Sequence, residues 1–166
     1  AGAICSPNSE LHPTDVIASF WENNQAPRLE TKNEAELFFK FFMGLWDEMF
    51  EQVSDNSVVL PRIEHSDNLI NVCENRYSEL ELGFVEGFWG GKEDIKVPPY
   101  IAEVIDSLTQ LAEVYRSLVG KINPEKDNKN VFDAIVQCDK MAAKSINMLI
   151  EHYVLPHIDN LRRVVN

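Results

Sequence analysis

The sequence predicts an all-α protein: a bundle of four long helices, up-and-down in tendency, with a short N-terminal helix and a C-terminal helical extension. Three observations carry this. Apolar residues recur at i, i+3, i+4 and i+7 through four long segments, and breaks rich in Pro, Gly and Asn separate them. The one β-like run, Val58-Val59-Leu60, is stopped by Pro61 and has no second strand to pair with, so Ser57–Ile63 reads as an extended linker. The chain has 166 residues, 45% apolar and 25% charged, which suits a single globular domain over 1–166 with an irregular segment over 1–13.

The first helix is expected from Thr14 to Glu22, just after Pro13, with Val16, Ile17, Phe20 and Trp21 on one side. Thr31-x-x-Glu34 then forms a capping box and opens a second helix that runs to about Ser54. Its apolar residues, from Leu37 to Val53, fill roughly 200° of arc, twice the usual stripe. A helix apolar on so many sides is expected to be central and covered by several neighbours.

Ser66 or Asp67 is the expected cap of the third helix, whose seam is Ile70, Cys73, Tyr77, Leu80, Phe84 and Phe88. Gly83, Gly87, Gly90 and Gly91 weaken and end it. Pro98 and Pro99 start the fourth helix, where the missing donor is harmless, and Gly120 closes it. Asn130 with Asp133 caps the fifth, and Pro156 ends it, leaving Ile158, Leu161 and Val164 as a closing turn. The fourth and fifth helices are expected to pack as an antiparallel hairpin.

With 15 basic and 27 acidic residues the chain carries −12, which makes nucleic acid an unsuitable partner, and no apolar run reaches the ~18–20 residues of a membrane span. The charge is uneven. Residues 30–94 hold 15 acids and 5 bases, whereas residues 95–166 hold 9 of each. The second and third helices therefore carry the imbalance, with Glu48 and Glu51 on one and Glu74, Glu79, Glu81 and Glu86 on the other. Such a face suits a basic protein partner, because opposite potentials speed encounter and select against wrong partners. Three widely spaced cysteines form neither a zinc pattern nor a disulfide framework, so a reduced, cytoplasmic chain is expected. The alternative is an exported protein, with Ala1-Gly2-Ala3 following a removed signal and Cys5 bridged to Cys73 or Cys138.

Complete catalytic constellations are missing. No HExxH, no ExxH on a bundle helix, no GxSxG and no glycine-rich phosphate loop occurs. Paired carboxylates do occur: Glu48-x-x-Glu51 is followed by Glu64-x-x-Asp67. This spacing resembles the ExxE…ExxD arrangement of the all-α nucleoside triphosphate pyrophosphohydrolases, the MazG and dimeric dUTPase group. The resemblance implies a Mg²⁺ site on Glu48, Glu51, Glu64 and Asp67, since i and i+3 share a helix face and hard cations take oxygen ligands. The sequence departs from that pattern in placing Glu64 and Asp67 just after Pro61, at a helix start.

Asp139 stands out in the apolar stripe of the fifth helix. A core-facing carboxylate needs a partner, and Tyr115 or Arg116 across the hairpin is within expected reach. Ala142 and Ala143 are expected to leave room beside it for a water or a small ligand. Three functions follow as expectations. The first is a non-enzymatic interaction module, such as an immunity or inhibitor protein or a regulatory adaptor, with no cofactor. The others are the Mg²⁺-dependent pyrophosphohydrolase and a small-ligand sensor built on Asp139 and Tyr115.

Overall fold

The computed structural model describes residues 1–7, 28–55, 58–90, 95–123 and 125–158, and among these every regular element is helical. Helix α1 spans Lys32–Ser54 and α2 spans Leu69–Ser78. A π-helical segment, Glu79–Val85, continues α2 directly into α3, Glu86–Trp89. Helix α4 spans Pro99–Val119, and α5 spans Lys129–Tyr153 before a 3₁₀ turn, Leu155–His157. The all-α class and its four long helical runs match the expectation. The short helix expected over Thr14–Glu22, and the extension beyond Ile158, lie outside the described residues.

Local chemistry sets the helix ends. The Thr31 hydroxyl accepts from the Glu34 amide at 3.2 Å, and the Glu34 carboxylate accepts from the Thr31 amide at 3.1 Å, so the capping box is complete. Asn68, not Ser66 or Asp67, caps α2, its side chain accepting from the amides of Ile70 and Asn71. Asp67 instead accepts from the Glu64 amide at 2.7 Å, folding the approach to the helix. Nor does Asn130 cap α5. The helix begins at Lys129, and Asn128 before it donates to the carbonyls of Asn123 and Lys126, tying the preceding loop. Gly90 ends α3 at φ 57°, a left-handed conformation that L side chains rarely adopt.

The core is built from α2 to α5. Leu80, Phe88, Ile101, Ile105, Leu108, Ile135, Leu149 and Ile150 are essentially fully buried, at about 1.5–3 kcal/mol each for large apolar side chains. Two contacts give the register of the α4–α5 hairpin: Tyr100 Oη lies 2.7 Å from His152 Nδ1, and Tyr115 Oη lies 2.6 Å from Asp139 Oδ1. Their residue numbers rise on one helix as they fall on the other, so the pair is antiparallel, as expected. The chain start adds a short turn, Ala1–Cys5, that buries Ile4 and Cys5. It lies so close to the end of the α2 run that a Cβ on Gly87 would sit 3.2 Å from the Ala3 nitrogen.

Helix α1 is not central. Only Phe50, Val53 and Ser54, in its last turns, are buried, while Leu37, Phe39, Phe41 and Leu45 are exposed. The wide apolar arc reflects two faces with different fates. Trp46, Met49, Phe50 and Val53 meet the core, whereas Leu37, Phe41 and Leu45 form an i, i+4, i+8 strip that points to solvent.

Candidate functional site

Asp139 does find a partner, and it comes from an unexpected helix. Arg76 of α2 donates from Nε to Asp139 Oδ1 at 3.0 Å, and the Tyr115 hydroxyl donates to the same oxygen at 2.6 Å. The guanidinium also donates to Glu79 Oε2 at 2.9 Å and to the Pro61 carbonyl at 2.6 Å. One buried cation therefore holds α2, α5 and the extended segment before α2 together. Its five donors in a fixed fork suit this task better than a lysine would. The Arg76 side chain is 5% exposed and that of Asp139 15%. Burial alone would lower the arginine's pKa, but the hydrogen bonds and charges of Asp139 and Glu79 together push it up. Burial, and then the Asp139 hydrogen bond, push the Tyr115 hydroxyl above its ordinary range, so it stays a donor.

Arg116, the expected alternative partner, turns away. It pairs with Glu113 at 3.6 Å and lies over the Tyr77 ring at 5.5 Å. The open space is also elsewhere than expected. Ala142 is fully buried, and the room near Asp139 lies toward residues 60–65. There a groove of about 710 Å³ runs between the extended segment and α5, lined by Leu60, Ile63, Phe132, Val136, Asp139 and Lys140 among others. Two of its lining residues, His65 and Phe132, stack their rings with centroids 4.1 Å apart and planes 21° from parallel.

The glutamates singled out by charge have different surroundings. Glu48, Glu51, Glu74 and Glu86 are exposed. Glu79 is exposed but engaged by Arg76. Glu81 is half-buried, its Oε2 has no hydrogen-bond partner, and burial followed by the charges of Glu86 and Glu113 raises its pKa. The π segment changes the rotation between Glu74 and Glu81, which a continuous α-helix would have placed one heptad apart. Glu64 and Asp67 are exposed at the start of α2 and joined through backbone. Among the described residues no group of three or more His, Cys, Asp or Glu is placed to hold a metal ion, so Glu48, Glu51, Glu64 and Asp67 are not brought together.

Cys5, Cys73 and Cys138 are all free and buried, with neither expected bridge formed. Burial holds the Cys5 thiol up at about 12 and that of Cys73 at about 11. No helix among the described residues is long and apolar enough to cross a membrane. Comparisons with known protein families, with curated proteins and with solved structures each return no match, so the likeness to the pyrophosphohydrolases rests on the spacing of four carboxylates alone.

Proposed function

We propose that the protein is a non-enzymatic interaction module that binds a basic protein partner, acting as an immunity or inhibitor protein or a regulatory adaptor. One observation carries this: the outward strip of α1 places Leu37, Phe41 and Leu45, at 68%, 65% and 45% exposure, in line with the exposed acids Glu48 and Glu51. Large apolar side chains exposed together mark interaction surfaces more often than solvated ones. A helix that presents apolar anchors followed by acids fits a groove that is apolar at one end and basic at the other. A second copy of the chain would bring like charges together on this strip, whereas a basic surface would not. Glu74 and Glu86 extend the negative potential on the α2–α3 run. Three free, buried thiols support a reducing, cytoplasmic setting.

The test is retention of partners on the immobilised protein at low and high salt, with two paired variants. Leu37→Ser with Phe41→Ser removes the anchors, and Glu48→Lys with Glu51→Lys reverses the charge. Reversal of the exposed Glu74 and Glu86 maps the rest of the face. The expected result is a basic protein lost in both α1 variants and weakened by salt. A partner held equally by the wild type and both α1 variants would defeat the reading.

A further inference from the structure

The groove beside Asp139 has a chemistry of its own, independent of the α1 strip. At about 710 Å³ it lies within the range that takes small organic molecules. Leu60, Pro61, Ile63 and Val136 make the lining largely apolar, and the stacked His65–Phe132 pair offers an aromatic wall.

Its charges are unlike those of the chain as a whole. Arg62 and Lys140 are both exposed on the lining, and neither makes an ion pair among the described residues. Asp139 cancels them only in part, because its carboxylate already accepts from the Tyr115 hydroxyl and from Arg76, a cation it shares with Glu79. Glu64 is the one other acid of the lining. Two unpaired cations against Glu64 and a carboxylate already held by hydrogen bonds make the groove less acidic than the chain as a whole and leave it able to take a single negative charge. A polyphosphate would bring too much charge, and a neutral apolar molecule would leave both cations unused. An aromatic body is favoured by the ring wall.

We propose that this groove binds a small ring-bearing monocarboxylate, its ring against His65 and Phe132 and its carboxylate between Arg62 and Lys140. Arg76 is a positioning residue here: it fixes the Pro61 carbonyl and Asp139, and so sets the separation of the two walls.

Saturation-transfer NMR and calorimetry with phenylacetate and indole-3-acetate test this, with phenylacetamide as the neutral counterpart. Saturable 1:1 binding is expected for at least one carboxylate. Arg62→Glu and Lys140→Glu should each weaken it about tenfold, as should the amide in place of the acid. Arg116→Glu, whose side chain lies over Tyr77 and away from the groove, should bind as the wild type does. Arg62→Gln and Lys140→Gln provide the same comparison should a reversed variant lose its helical circular dichroism. The proposal is overturned if neither carboxylate saturates at millimolar concentration, if the amide binds as tightly, or if the Arg62 and Lys140 variants retain full affinity.

Discussion

Arg76 Nε and Asp139 Oδ1, 63 residues apart in sequence, lie 3.0 Å apart between α2 and α5, and the two side chains depend on each other unequally. Without Asp139, Arg76 keeps Glu79 and the Pro61 carbonyl. Without Arg76, Asp139 keeps only the Tyr115 hydroxyl for a largely buried charge. Removing one partner of a buried pair costs more than removing both, because an uncompensated charge remains. Arg76→Met is therefore expected to cost about 3 kcal/mol in urea unfolding. Asp139→Leu should cost about 2 kcal/mol, because it leaves the buried Tyr115 hydroxyl without its acceptor. The double variant should be more stable than Arg76→Met alone. Asp139→Leu also separates roles: unchanged ligand and partner binding alongside that loss of stability would make Asp139 structural.

Much of this site was legible. Asp139 announced itself as a charge in an apolar stripe, and the antiparallel hairpin offered Tyr115 or Arg116 as its partner, of which Tyr115 makes the contact. Arg76 was missed although it follows Cys73 by three residues and precedes Leu80 by four, at the edge of the third helix's seam. Two opposite charges on two core-facing seams were the available signal, but periodicity does not say which seams face each other. The fate of α1 was hidden for a related reason. A wide apolar arc describes one helix, and whether neighbours cover it depends on where the loop before α2 sends the chain. Glu81 illustrates a third limit, since heptad arithmetic assumes an uninterrupted α-helix and the π segment breaks that assumption.

Glu81 predicts a pH dependence. Its folded-state pKa is raised, first by burial and then by Glu86 and Glu113, so folding favours the protonated form. A raised carboxylate makes its most favourable contribution below the unfolded value and loses it as pH rises through the folded value. At neutral pH Glu81→Gln should thus be slightly more stable than the wild type, because the amide carries no charge to desolvate or to be repelled by Glu86 and Glu113. The difference should shrink as pH falls through the ordinary glutamate value of 4.5. Urea midpoints for both proteins from pH 3 to 8 measure it. A gap that widens toward acid pH would contradict the assigned environment.

Thr31 separates local from global stability. Loss of an N-cap hydroxyl costs about 1 kcal/mol of helix stability. The first turns of α1 hold no fully buried residue, so Thr31→Ala should loosen them without unfolding the α2–α5 core. Amide exchange should quicken over residues 32–38 while the urea midpoint stays within error. A large loss of global stability would mean that the start of α1 is coupled to the core.

The turn at the chain start rests on Gly2. A Cβ there would collide with the carbonyl oxygen of Phe84, in the π segment, and backbone cannot yield as the tip of a flexible side chain can. Gly2→Ala should therefore lift the turn away and open the site of Cys5, which is 0% exposed and whose thiol burial raises to about 12. A thiol held that high is almost entirely protonated at neutral pH and reacts slowly, since the thiolate is the nucleophile. In the variant Cys5 should label rapidly with a disulfide reagent at pH 8, as its thiol returns toward the ordinary value of 9.0. Cys73 and Cys138, enclosed by other helices, should keep their slow rates. Peptide mapping of the labelled protein distinguishes the three. Faster labelling of all three would mean that the turn supports the whole core, and no change at Cys5 would mean that it accommodates the methyl group without undocking.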